Sequence, residues 1–206
     1  MQDYIDYFFT TVSPFAWLGH RHLMAIASKH EKSVHFRPVN LADVFSNSGS
    51  LPLAQRSAVR QRYRLVDLHR IALARGVHLN PKPAHFPTNS ELADRTVIAL
   101  AEAGRGAADF AHAAGEAVWS LELDIADEAV LARLLEETGH DAAHFLAAAK
   151  TQHTADIRAQ NTKDAMAADA IGSPSYVYKG EVFWGQDRLD LLDHMIETGR
   201  EPFLEV

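Results

Sequence analysis

The sequence predicts an α/β protein in which a small sheet, drawn from both ends of the chain, carries a large all-helical insertion. Three observations predict it. Tyr4 to Phe9 alternates in the manner of a strand and runs through a short turn into a helix. From about Leu53 to Ala170 the pattern is helical and rich in Ala, Leu, Glu and Arg. Strand chemistry then returns at Tyr176-Val177-Tyr178 and Glu181-Val182-Phe183-Trp184.

The first forty residues read as a β-α-β unit. Ser13 is a good helix N-cap, and Pro14 suits the first helical position, where its missing N–H costs nothing. Phe15, Leu18, Leu23, Ala25 and Ile26 supply a buried helical stripe, and Val34 to Val39 is a short strand that Pro38 ends. Two parallel strands joined by one helix imply a right-handed crossover. The middle holds helices over Asn89–Ala103, Ala107–Leu121, Asp127–Thr138 and Asp141–Thr151, parted by turns at Gly104, Asp124 and Gly139. Asp127 and Asp141 are N-caps in this reading and Gly139 closes a helix. The prolines of Asn80–Pro87 keep that stretch out of any helix. At the end, Lys179-Gly180 forms a two-residue hairpin turn, and Leu189–Met195 has a helical apolar pattern. The arrangement is that of a thioredoxin-like sheet formed by residues 1–45 and 171–206, with residues 46–170 inserted as a helical domain.

Composition narrows the function. The chain has 206 residues, 47% hydrophobic and 23% charged, enough for an ordinary core. A net charge of -7 argues against a nucleic-acid surface, which is normally basic. No cysteine is present, so a disulfide framework, a thiolate metal site and a cysteine nucleophile are excluded. The sequence opens on a strand, without a basic lead into an apolar run, and no apolar stretch nears the ~20 residues that span a bilayer. The expectation is a soluble, cytoplasmic protein.

The chemistry concentrates at Ser13. A helix N-terminus gathers unpaired N–H groups and partial positive charge, so it stabilises an anion. Thioredoxin-like proteins place a reactive Cys-x-x-Cys there, and the helix depresses its thiol pKa. Here the two positions are Ser13 and Ala16, so any thiol has to come from a ligand. The same serine would cap the helix with no ligand present.

Three separated motifs occur in order: Tyr7 to Gly19, Gly172–Ser175, and Phe183-Trp184-Gly185-Gln186-Asp187-Arg188-Leu189. Together with Tyr63–Leu68 and Phe86–Asn89, they resemble the 2-hydroxychromene-2-carboxylate isomerase family, related to kappa-class glutathione transferases and DsbA-type oxidoreductases. The resemblance implies glutathione as cofactor, a homodimer, and isomerisation of an aromatic-degradation intermediate. It puts Ser13 against the glutathione sulfur. Ser173 and Pro174 become the cis-proline segment whose backbone pairs with the peptide. Asp187 faces the γ-glutamyl ammonium and also suits an N-cap, and Gln186 faces the α-carboxylate. Arg60 stands where kappa enzymes have a lysine for the glycine carboxylate, within a basic run that also reads as a solvated helix face. Ser50 stands where they have an asparagine. Arg64 and Asn89 are candidates for the substrate carboxylate. A kappa-like transferase or peroxidase, and a non-catalytic peptide-binding module, are the alternatives.

Other signals are weaker. His140 and His144 have the i, i+4 spacing of two metal ligands but no third, so no metal site is expected. His20 and His22 project from different helix faces. Phe15, Trp17 and Trp184 read as core, with one or two available to line an apolar pocket near Ser13.

Overall fold

A computed structural model describes residues 4–204; residues 1–3 and 205–206, which the domain reading also takes in, lie outside the described residues. β1 (Tyr4–Phe9), α1 (Pro14–Lys29) and β2 (Ser33–Pro38) form the β-α-β unit, with β1 and β2 parallel. α2 (Leu41–Ser48) and a short 3₁₀ turn at Leu53–Gln55 lead to α3 (Ala58–Arg75). Then come α4 (Glu91–Glu102), α5 (Ala107–Trp119), α6 (Glu128–Glu137), α7 (Ala142–Ala149) and α8 (Gln152–Ala167). β3 (Ser175–Tyr178), β4 (Glu181–Trp184) and α9 (Leu189–Thr198) complete the fold. The sheet order is β2-β1-β3-β4, and β3 is antiparallel to both of its neighbours.

Side chains alternate across a strand, so each face of this sheet finds its own cover. Ile5, Tyr7, Phe9, Tyr176, Tyr178 and Phe183 point to one face, where they share a continuous core with α1, α9 and the helical block. Tyr7 stacks on Phe9 and on Tyr176 at ring-centroid distances of 4.1 and 5.4 Å. Phe8 and Val177 point to the other face and pack with Val44 of α2 and Ala165 of α8. The position expected to open the helical insertion, residue 46, therefore falls inside α2, a helix the sequence reading did not separate.

Local chemistry sets the helix ends. Asp127 and Asp141 accept from the N–H groups of Ala129 and His144, as N-caps do. Gly139 follows Thr138, the residue that caps the end of α6, and has φ 81°, a conformation only glycine adopts freely. The Lys179-Gly180 turn has both residues at positive φ (50° and 86°), matching the twist of a tight hairpin.

Candidate active site

β1 delivers the chain to Ser13 at the start of α1. Ser13 has extended backbone angles and is 6% exposed. Its Oγ accepts from the Ala16 N–H at 3.3 Å and donates to the Ser173 carbonyl at 3.1 Å. No acidic residue occupies the first turn of α1, so the partial positive charge of this helix end is not offset there.

The Ser173-Pro174 peptide bond is cis. Its segment is laced to the β1–α1 loop, because the Thr10 N–H donates to Ser173 Oγ at 3.2 Å. Gly185 N–H donates to the Pro174 carbonyl at 2.9 Å, which brings the segment after β4 alongside. The Ser173 N–H meets no acceptor among the described residues.

A cavity of about 520 Å³ opens at this junction. Ser13, Pro14 and Phe15 form its floor with Ser173 and Pro174. Arg56, Tyr63, Arg64, Asp67 and Ile71 wall one side, and Trp184 to Arg188 the other. Arg64, Asp67 and Ile71 recur at helical spacing, which turns one stripe of α3 toward Ser13. The cavity thus lies between segments from the chain ends and segments from the middle.

Gln186 is buried beside the cavity and accepts from Arg75 Nη2 at 3.2 Å. It packs against α1 where Gly19 leaves room: a Cβ on Gly19 would lie 2.7 Å from Gln186 Cβ. Asp187 lines the cavity and pairs with Arg188 at 2.6 Å. It sits inside a short 3₁₀ turn whose capping position is Gly185, so the N-cap expectation for Asp187 is not met. Three other expected residues stand outside the wall. Arg60 is exposed in the first turn of α3, and Arg56 and Arg64, on either side of it in sequence, occupy the wall instead. Ser50 Oγ donates to the Ile171 carbonyl at 3.4 Å, and Asn89 turns back to accept from the Glu91 N–H at 2.9 Å. Of the three aromatics, Phe15 and Trp184 line the cavity and Trp17 is core.

Arg56 and Arg64, on one side of the cavity, lie below the usual arginine pKa. Burial lowers Arg56, and the charge of Arg60 adds to it. Burial brings Arg64 down to about 10, with the charge of Arg56 contributing. Electrostatically the wall favours an anion.

Behind the loop stands a polar hub that the sequence reading missed. Asp94, fully buried, accepts from the Thr11 N–H at 2.8 Å, the Thr11 hydroxyl at 2.9 Å and the Thr10 hydroxyl at 3.1 Å. Arg158 of α8 donates to it from Nη2 at 3.0 Å and to the Val39 carbonyl at 3.1 Å. Burial pushes the Asp94 carboxyl up, and Arg158 and Thr11 pull against that. The available signal was an aspartate set among Leu92, Ala93, Val97 and Ile98, where the helical pattern calls for an apolar residue.

His140 precedes α7 and packs against Gly106, whereas His144 lies on α7, so the two do not share a helix face. Among the described residues no group of three or more His, Asp or Glu could hold a metal ion. No helix among them is long and apolar enough to cross a membrane.

Comparison with known proteins bears on the fold and the family. The chain is 27% identical over 198 residues to 2-hydroxychromene-2-carboxylate isomerase of Sphingobium xenophagum, covering 94% of this chain and 97% of that one. The structure of a selenomethionine 2-hydroxychromene-2-carboxylate isomerase superposes with a TM-score of 0.79 at 24% identity, covering 94% of each chain. The cytosolic disulfide reductase DsbM from Pseudomonas aeruginosa, solved with GSH, superposes with a TM-score of 0.67 at 17% identity, covering 95% of this chain and 98% of that one. The family described as the DSBA-like thioredoxin domain matches residues 4–197, so the chain belongs to that family.

Proposed function

We propose that this protein is a glutathione-dependent isomerase acting on 2-hydroxychromene-2-carboxylate or a related aromatic-degradation intermediate. One observation carries the reading: in a chain without cysteine, the Ser13 hydroxyl stands at the unopposed N-terminus of α1, beside a cis-proline segment and facing an anion-favouring cavity. The curated relative from Sphingobium xenophagum bears the isomerase name over nearly its whole length.

The residues present fit a small acidic peptide thiol. The free Ser173 N–H offers an edge for a peptide backbone. Arg56 and, from outside the wall, Arg60 supply cations for a terminal carboxylate, and a guanidinium can grip a carboxylate through two bonds. Asp187 offers a carboxylate to an ammonium group, and Gln186, held by Arg75, offers an amide. When bound, glutathione supplies the thiolate nucleophile that the chain lacks.

The protein's own part is electrostatic. Ser13 turns its hydroxyl hydrogen from the Ser173 carbonyl to the thiolate, and the N-terminus of α1 shares the charge. Both favour the thiolate over the thiol, whose free pKa is ~8.5. Phe15, Phe86 and Trp184 line the cavity with apolar surface that excludes water from the reacting atoms.

An ultraviolet difference titration with glutathione across pH tests this. Thiolate absorbance well below the free thiol's pKa, lost in Ser13→Ala, is the expected result. Product analysis then separates isomerisation from conjugation. Absence of glutathione binding overturns the enzyme reading in favour of a peptide-binding module.

A further inference from the structure

Arg64 differs from the other partly buried arginines of this protein. Arg37 is paired with Asp6 and Asp164, Arg158 with Asp94, Arg95 with Glu91, and Arg200 with Glu181. The Arg64 guanidinium has no ion-pair or hydrogen-bond partner among the described residues. Asp67 lines the same wall one turn further along α3, yet it makes no ion pair with Arg64. What surrounds Arg64 is aromatic: its guanidinium carbon lies 5.6 Å from the rings of Phe86 and Trp119 and 6.0 Å from that of Phe15. Of the other arginines lining the cavity, Arg56 already spends its Nε on the Leu51 carbonyl at 2.8 Å, and Arg188 is paired with Asp187.

A cation taken partly out of water loses hydration that ring faces only partly replace. Such a group is stabilised by an anion brought to it. The cavity leaves its N–H groups reachable, since none of them is among the buried unpartnered atoms. The planar fork of a guanidinium fits a carboxylate through two parallel hydrogen bonds. Phe15 and Phe86 line the cavity beside it and offer flat apolar surface to whatever carries that carboxylate.

We propose that Arg64 is the specificity-determining residue of this cavity, gripping the carboxylate of a planar aromatic ligand. The flat body then lies along Phe15 and Phe86 and reaches toward Ser13. The proposal rests on the reading of this cavity as the active site and adds which group orients the substrate.

The test is calorimetric titration of the whole protein, without glutathione, with 1-naphthoate and with its uncharged counterpart 1-naphthamide. The wild type is expected to prefer naphthoate. Arg64→Met is expected to lower naphthoate affinity by about 10- to 100-fold, the usual span for a lost charged hydrogen-bond pair, and to leave naphthamide unchanged. Arg64→Lys should restore part of the preference, and it carries the test if Arg64→Met fails to fold. Equal affinity of the wild type for both probes, or full naphthoate affinity in the folded variant, overturns the proposal. The glutathione titration, run on the same variants, separates the two readings. Thiolate formation without naphthoate preference overturns the role of Arg64 alone. Naphthoate preference without thiolate formation upholds Arg64 and overturns the glutathione reading alone.

Discussion

The Ser13 hydroxyl donates its hydrogen to the Ser173 carbonyl at 3.1 Å while accepting from the Ala16 N–H at 3.3 Å. The one hydrogen it can give therefore already has an acceptor. A thiolate placed at the helix end competes with a neutral carbonyl for that hydrogen, and the charged acceptor makes the stronger bond. The rest of the junction stays in place through Thr10 N–H and Ser173 Oγ.

Ser13→Ala removes both the cap and the donor. Loss of a serine N-cap costs about 1 kcal/mol of stability. Loss of a hydrogen bond to a charged group costs about 1.5–3 kcal/mol, so turnover should fall by about 10- to 100-fold. On the proposed reading glutathione affinity should fall less, because the rest of the peptide would be held by other residues of the cavity. Steady-state kinetics beside a denaturant melt checks this; unchanged turnover would remove Ser13 from the chemistry.

Gly19→Ala should damage the site from behind. Alanine is the better helix former by about 1 kcal/mol, so an unhindered site would gain stability. Here the new methyl would stand 2.7 Å from Gln186 Cβ and 3.0 Å from the Tyr176 hydroxyl. Gln186 Cβ is next to the backbone and cannot swing aside alone. Overpacking of this kind costs about 1–3 kcal/mol. The expected outcome is a net loss of stability together with weaker glutathione binding as Gln186 shifts. A variant that melts higher and binds glutathione normally would contradict this account.

How far the sequence could be read follows from the range of the forces involved. Strand alternation in Tyr4–Phe9, the Ser13-Pro14 helix start, the Lys179-Gly180 turn and the Asp127 and Asp141 caps are all short-range, and each is found in the structure. The Ser173-Pro174 cis bond was legible through the resemblance and not through local chemistry. Which arginine of α3 enters the wall depends on the tilt of that helix over α1, a property of packing. Counting along the chain therefore chose Arg60, where packing presents Arg64 of α3 and, from the turn before that helix, Arg56. The Asp187 cap failed for a similar reason: the chain makes a 3₁₀ turn from Gly185 before α9 begins.

The Asp94–Arg158 pair should prove a structural support of the Ser13 loop. Asp94→Asn leaves Arg158 partly buried without its counter-charge, and breaking such a pair costs about 3–5 kcal/mol. The two changes share one network, so Asp94→Asn combined with Arg158→Met should cost less than the sum of the single variants. Denaturant midpoints of the four proteins close the cycle. Additive losses would mean that the pair does not act as a unit.

A pH-dependent contribution comes from the end of the chain. Arg200 grips Glu181 of β4 through Nη1 and Nη2, both at 2.7 Å, and Phe203 N–H donates to the same carboxylate at 2.8 Å. The hydrogen bond from Arg200, which outweighs the cost of burial, holds the Glu181 carboxyl below its ordinary value, and Phe203 adds to the effect. A carboxylate depressed in the folded state binds its proton more readily when unfolded, so folding is favoured wherever the group is ionised. That contribution is fully present above the unfolded pKa of about 4.3 and is lost as pH falls through the depressed folded value. Arg200→Gln should therefore lower the melting temperature at neutral pH, and the gap to the wild type should narrow steadily below about pH 4. Thermal melts of both proteins across that range test it. A gap that stays constant into acid would show that Arg200 stabilises the C-terminal segment by packing on Phe203, whose ring lies 4.2 Å from the guanidinium, and not through the charge of Glu181.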